Sequence, residues 1–301
     1  MKVVVIGASG NLGSAAVRAL TADGAAEVVA VARRAPDGPR AYAQASVEWR
    51  VADVSTANLE PVVEGADAVV HLAWKFQPTH RPEETWATNA VGTRRVLEAV
   101  ARAGVPALVC ASSVAAYSPV HHNDPVDETW ETDGASAAAY CREKAYVERT
   151  LDAFACNHPE VRVVRVRPAF VFQRSAASEQ RRIFGGALAL ATAATTEVAG
   201  AFNLAGDGTI GRDELGELMG ARTVEVSPRL ASHGLDGAWR ARLVPVPGSL
   251  LDAVMQLPLM STARAELELG WQPRHSAMDA LEAVLSGLPE KAGSELPPLR
   301  P

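Results

Sequence analysis

Short strand-like runs, rich in β-branched residues, recur along the first half of the chain at 3–6, 28–32, 47–51, 68–72, 107–111 and 161–166. Between most of them, apolar positions fall at helical spacing instead, over 12–22, 56–64, 83–103 and 137–155. The uninterrupted apolar run at 3–6 suits a strand buried on both faces, and the alternation of such runs with helical patterns predicts a parallel sheet covered on both sides. The longest helix, 83–103, carries Trp86, Val91, Val96, Leu97 and Val100 on its apolar positions and stops at Gly104 before Pro106. Beyond about residue 170 the pattern loosens. Helices are expected at 187–193, 214–219 and 277–286, with Asp213 and Ser276 as N-caps. The proline-rich end, GSELPPLRP, reads as frayed. This divides the chain into a sheet-forming part, 1–168, and a smaller C-terminal region, 169–301.

Composition narrows the function classes. Apolar residues make up 48%, enough for a large core, and the net charge of −6 comes from acids and bases mixed along the chain, which argues against nucleic acid or an anionic membrane as partner. No apolar stretch approaches the ~18 residues of a membrane span. Met1-Lys2 runs straight into the first strand, which leaves no room for a signal peptide. Cys110, Cys141 and Cys156 have no metal-type spacing and read as reduced thiols of a cytoplasmic protein. His121, His122 and Asp124 cluster in a proline-flanked loop without a partner motif, so no metal is expected.

The chemistry begins at the first strand-to-helix turn, Gly7-Ala-Ser9-Gly10-Asn11-Leu12-Gly13. A helix start leaves amide donors unpaired and carries partial positive charge, so a diphosphate can be held there by backbone alone. Gly7 allows the tight turn, Gly10 a close approach to phosphate, and Gly13 close packing of helix on sheet. The spacing G-x-x-G-x-x-G resembles that of the short-chain dehydrogenase/reductase superfamily. A dinucleotide site usually places an acid about 20 residues past the glycines. Here the second strand runs into Arg33-Arg34, whose guanidinium forks suit a 2′-phosphate and favour NADP over NAD. Asp53, with Val54 beside it, is a candidate for the adenine amino group.

The stretch AAYCREKAYVE sets Tyr140 and Lys144 four apart on one helix face. With 4 Tyr in 301 residues and an equally small number of Lys, about 0.05 such Y-x-x-x-K pairs are expected by chance. A phenol titrates near 10 in water, and a neighbouring ammonium and a cationic nicotinamide are expected to lower it toward neutrality. Tyr140 could then exchange a proton with a substrate oxygen while hydride moves. Ser113, just past the strand 107–111, is placed to polarise that oxygen; Ser112 reads as structural, and Cys141 as turned away from the Tyr140/Lys144 face.

Together these motifs resemble the extended short-chain dehydrogenase/reductases, which include NAD(P)-dependent epimerases and dehydratases. The resemblance implies a Rossmann-type doubly wound α/β fold. It also implies that His71-Leu72-Ala73 passes the nicotinamide ribose, that Asn89 in Asn89-Ala-Val-Gly-Thr93 supports the active site, and that Arg167-Pro168 leads into the substrate region. Glu268-Leu-Gly-Trp271-Gln-Pro273 resembles a C-terminal signature of the group. A homodimer through the helices of 83–103 and 137–155 follows from the same resemblance.

Departures from the pattern carry information. Phe170 stands where an Asn often meets a nucleotide-sugar, and Val114-Ala115 replaces the acidic pair that sugar 4,6-dehydratases use to eliminate water. Trp74, Phe76 and Phe170 could line a pocket for an apolar or aromatic carbonyl substrate or could be plain core. The stretch between the Arg-Pro strand and Phe202-Asn203-Leu204-Ala205 is short for the group, with a block missing near 185–188. A true deletion or an omitted mobile segment would account for it, and the second is favoured because deletion would expose the cleft. The reading is an oxidoreductase moving hydride between NADP and a secondary alcohol or ketone. An NAD-dependent nucleotide-sugar epimerase would use the same residues; a non-catalytic dinucleotide sensor that binds a partner protein is the alternative from another class.

Overall fold

The computed structural model describes residues 1–22, 24, 26–34, 47–76, 79–170, 192–218, 220–221 and 226–287. Seven parallel strands form one sheet: β1 (Lys2–Ile6), β2 (Glu27–Ala32), β3 (Val47–Val51), β4 (Ala68–His71), β5 (Ala107–Ala111), β6 (Arg162–Pro168) and β7 (Gly200–Leu204). Their order is β3-β2-β1-β4-β5-β6-β7. The expected doubly wound fold is therefore present. β7, from beyond residue 168, is part of the same sheet.

The apolar runs become strands because valines alternate between two cores. Val3, Val5, Val28, Val70, Val109 and Val164 face one cluster with α1 (Asn11–Thr21). Val4, Ile6, Val29, Val69 and Leu108 face the other. That second face is covered by α2 (Glu60–Val63), α4 (Gly92–Arg102), which follows the short α3 (Pro82–Trp86), and α5 (Ala139–Asn157). Each buried valine contributes ~1.5–3 kcal/mol relative to exposure, so the two faces fix strand identity and register. The helix expected over 56–64 shrinks to four residues. Asp53 folds the segment before it into a turn, accepting from the Ser55 amide at 2.8 Å and the Ser55 hydroxyl at 2.5 Å, and Pro61 then opens the helix.

The long helix of 83–103 is interrupted. α3 and α4 are joined by one π-helical turn, Ala87–Val91, which contains Asn89. Such turns often mark functional positions. The C-terminal region adds α6 (Arg212–Leu218), α7 (Pro228–Arg240), α8 (Gly248–Val254), α9 (Ala263–Leu269) and α10 (Ala277–Gly287). Ser276 caps α10 as expected, accepting from the Asp279 amide at 3.1 Å while the Asp279 carboxylate accepts from the Ser276 amide at 3.0 Å. Asp213 does not cap α6: the helix begins at Arg212 and places Asp213 inside its first turn. The 185–188 connection, most of 187–193 and the GSELPPLRP end lie outside the described residues. Among the described residues no helix is long and apolar enough to cross a membrane.

The β6 end is stitched to its surroundings by charge. Arg167 donates twice to Glu148 on α5, at 2.8 and 3.0 Å, and also to the Tyr117 hydroxyl at 3.0 Å. Tyr117 in turn donates to Asn203 on β7 at 2.7 Å. Arg165 reaches the same Glu148 carboxylate at 3.2 Å. This buried fork clamps α5 to the sheet and so sets the height of the residues α5 presents above it.

Candidate active site

In a sheet of this order the chain reverses direction between β1 and β4, and side chains and loops at the carboxyl ends of the strands surround a crevice. A cavity of about 640 Å³ lies there. Its lining includes Gly7, Gly10, Asn11, Leu12, Gly13, Arg33, Arg34, Leu72 and Ala73, together with Ser113, Tyr140 and Lys144. Ser9 and Val54 border an adjoining hollow that shares Gly7, Gly10, Arg33, Arg34 and Ala73. Two predicted residues stay outside both. Asn89 is fully buried beneath the crevice, and Asp53 turns to Ser55. Burial raises the Asp53 carboxyl, but the Ser55 hydroxyl and amide, with the Arg33 and Lys75 charges, outweigh it and hold the group below its ordinary value.

The glycine turn fits a dinucleotide diphosphate on steric grounds. Gly7 has φ +92°, and a Cβ there would stand 2.6 Å from the Ala73 amide nitrogen. A Cβ on Gly13 would stand 2.0 Å from the Gly7 carbonyl. These two glycines let β1, the β4 exit and α1 close on one another. Gly10 is different: its Cβ would meet only the Gly7 carbonyl, at 3.3 Å. Gly10 is also the N-cap of α1 and offers no side-chain cap, so the start of the helix faces the crevice as bare backbone.

Tyr140 and Lys144 occupy successive turns of α5, and Ser113 caps the short 3₁₀ turn Val114–Ala116 that follows β5, its oxygen accepting from the Ala115 amide at 3.1 Å. Ser113 also favours the ionised form of the Tyr140 phenol. Burial pushes the phenol above its ordinary value, and the Ser113 contact offsets only part of that rise. The expected lowering by Lys144 does not operate in this geometry. The ammonium donates to the Ala111 carbonyl at 2.9 Å and lies 3.5 Å from the centroid of the Trp74 ring. Its distance to the Tyr140 ring centroid is 5.9 Å. Burial brings Lys144 down to about 8.

Beneath the crevice runs a network that the sequence did not disclose. Asn89 donates to the Glu143 carboxylate at 2.7 Å and to the Lys75 carbonyl at 2.9 Å, and accepts from the Lys75 amide at 2.6 Å. Thr85 also donates to Glu143, at 2.8 Å. The Asn89 carbonyl accepts from Thr93 at 2.6 Å, and Thr93 lies 2.9 Å from His71 Nε2. Since the Thr93 proton is committed, Nε2 is the protonated nitrogen of His71. Burial, then the Lys144 charge, lowers the imidazole to about 3, so it stays neutral. Asn89 thus holds the 72–76 segment against α5. Burial pushes the Glu143 carboxyl up, countered in part by Asn89 and Thr85.

The remaining expectations fall as follows. Phe76 and Trp74 both meet the Tyr140 ring edge-to-face, at 5.1 and 5.9 Å. Phe170 is 46% exposed at the cavity mouth. Cys141 is buried with Ala135 and Ala138 but still borders the cavity, and burial keeps its thiol raised. His121, His122 and Asp124 are exposed, and among the described residues no group of three His, Cys, Asp or Glu could hold a metal ion. Sequence reading missed α8, which supplies Leu250, Ala253 and Val254 to the cavity. The four-residue step from Leu250 to Val254 was the available signal.

A family model described as the NAD dependent epimerase/dehydratase family matches residues 3–214. A protein of Synechocystis sp. named "Putative dihydroflavonol 4-reductase" is 26% identical over 147 residues, 48% of this chain and 42% of that protein, so the match spans less than half the relative's length. UDP-glucuronic acid 4-epimerase from Bacillus cereus, solved in complex with NAD, is 16% identical with a TM-score of 0.70, over 96% of this chain and 99% of the other. The dTDP-glucose 4,6-dehydratase DesIV from Streptomyces venezuelae, solved with NAD and TYD bound, is 20% identical with a TM-score of 0.72, over 96% and 97%. At these identities the two solved structures speak to the fold.

Proposed function

From the premise that this chain belongs to the NAD dependent epimerase/dehydratase family, we propose that it is an NADP-dependent reductase of a ketone or aldehyde. The observation that carries the reading is convergence: Ser113, Tyr140 and Lys144 open on the same 640 Å³ cavity as the Gly7–Gly10–Gly13 turn. NADPH, when bound, supplies the hydride. The start of α1 would hold its diphosphate, and Arg33 and Arg34, both exposed beside the cavity, with no carboxylate among its described lining residues, would bind its 2′-phosphate.

Tyr140 donates the proton that the carbonyl oxygen gains as it becomes an alcohol. Burial favours this direction, because a raised phenol value keeps Tyr140 protonated at neutral pH. Ser113 hydrogen-bonds the same oxygen and polarises it. Lys144, anchored at the Ala111 carbonyl, brings a positive charge to the cavity and would hold the nicotinamide ribose of the bound cofactor. Asn89 is a positioning residue acting through the Lys75 backbone and Glu143.

Fluorescence titration with NADPH and NADH, followed by NADPH oxidation across a carbonyl panel, tests the reading. NADPH is expected to bind at least ~10-fold more tightly, since each phosphate–arginine fork is worth about that much, and to exchange freely. Cofactor that co-purifies with the protein and supports interconversion of nucleotide-sugars would instead make it an epimerase.

A further inference from the structure

The geometry points to an uncharged aryl carbonyl as the substrate: a ketone or aldehyde borne on an apolar ring, rather than a sugar carried by a nucleoside diphosphate. This inference rests on the reductase reading and extends it to substrate class.

Any reacting carbonyl must sit at the Tyr140 hydroxyl, so the groups around that ring decide what can flank it. They are apolar on both sides. Phe76 and Trp74 stand edge-to-face with Tyr140 at 5.1 and 5.9 Å. Leu250 and Leu257 pack in the same cluster as the Tyr140 ring, around buried Ala115 and Ala253. An aromatic ring slotted among them would meet aromatic edges on one side and branched alkyl groups on the other.

Charge is distributed to match. The cations among the described lining residues are Arg33, Arg34, Lys75 and Lys144, and no carboxylate is among them. Arg33 and Arg34 belong to the dinucleotide end, Lys75 is paired with Glu84, and Lys144 is held at Ala111 and Trp74. Among the described lining residues, the α8 side therefore presents no side-chain cation to a second diphosphate. Leu250, Val254 and Val246 stand there instead, with Phe170 at the mouth.

The α8 wall is fixed rather than adaptable. The Gly248 amide donates to Asp236 on α7 at 2.7 Å, and Ser232 on α7 donates to Asp252 on α8 at 2.7 Å. The helices touch so closely that a Cβ on Gly248 would lie 1.9 Å from the Ser232 carbonyl. A preformed apolar wall selects its substrate by burial, with little ordering cost.

The test measures kcat/KM with NADPH for acetophenone and dihydroxyacetone, and thermal shifts of the NADPH complex with each of them and with UDP-glucuronic acid. Acetophenone is expected to exceed dihydroxyacetone by about 100-fold, the value of burying one phenyl ring. It should also raise the melting temperature while UDP-glucuronic acid does not. Val254→Arg, at a position 37% exposed and therefore tolerant of a charge, is expected to raise KM for acetophenone at least ~10-fold with the NADPH dissociation constant unchanged. Equal or better turnover of dihydroxyacetone, with Tyr140 still required, would overturn the substrate class and leave the reductase reading intact. If no carbonyl is reduced, the reductase reading fails. The thermal shifts then judge the pocket alone, and stabilisation by UDP-glucuronic acid without acetophenone would overturn it.

Discussion

Replacing Trp74 with leucine is expected to lower the pKa of Lys144. The ammonium lies 3.5 Å from the Trp74 ring centroid, well inside the range of a cation–π contact, and Lys144 is 3% exposed. Contacts of this kind reach ~2 kcal/mol when desolvated. They act on the charged form alone, so 2 kcal/mol corresponds to about 1.5 pKa units. Water admitted by the smaller side chain returns part of this, and a net fall of about one unit is expected. Starting from about 8, Lys144 would then titrate near 7. At pH 8 its charged fraction drops from about a half to about a tenth. The ¹³Cε resonances of lysine-labelled protein report this directly, with Lys144→Met to assign the signal. In parallel, the alkaline limb of the kcat/KM profile, which requires charged Lys144, should move down by the same amount. A Lys144 value unchanged or raised in Trp74→Leu would refute the reasoning and leave the backbone bond to Ala111, with the Glu148 and Glu143 charges, as the support of the charge.

Gly13→Ala sets a Cβ 2.0 Å from a backbone carbonyl, so it should lower the melting temperature and abolish dinucleotide binding together; Gly10→Ala, with its nearest contact at 3.3 Å, should fold and weaken the dinucleotide only. Arg33→Ala with Arg34→Ala should raise the NADPH dissociation constant ~10-fold or more and leave that of NADH within about twofold, as separate fluorescence titrations will show. Glu148→Ala strips the partner from buried Arg167 and should cost ~3–5 kcal/mol in urea unfolding. Glu148 also predicts acid sensitivity. Burial raises its carboxyl, but the Arg167 hydrogen bond and charge outweigh this and leave it lowered. Its contribution is therefore complete above the ordinary carboxylate range and is lost as pH falls through the depressed native value, which urea midpoints measured from pH 7 downward will report.

Legibility in the sequence followed burial and period. The valine runs had to be strands of a two-sided sheet, because both cores draw on alternate residues of the same run. The glycine turn and the Tyr140–Lys144 spacing could be read because each motif is local, contained within one turn or two coils of helix. What stayed hidden was set by contacts between distant segments. Nothing in the sequence separates buried Glu143 from exposed Glu131, yet one holds Asn89 and the other meets solvent. The π turn at Ala87–Val91 keeps an ordinary helical pattern and shows only in its backbone bonds. The Lys144 expectation failed for a physical reason: on an isolated helix the ammonium would reach the phenol, but the Ala111 carbonyl and the Trp74 face draw it elsewhere.

The central claim is that Tyr140 delivers the proton at a site Lys144 and the glycine turn have assembled. Tyr140→Phe removes one oxygen and keeps the ring that Trp74 and Phe76 pack against. Measured on that variant with saturating NADPH and an aryl ketone, single-turnover cofactor oxidation should fall at least ~100-fold while the NADPH dissociation constant stays within about threefold. A variant that oxidises NADPH at the wild-type rate would contradict the account.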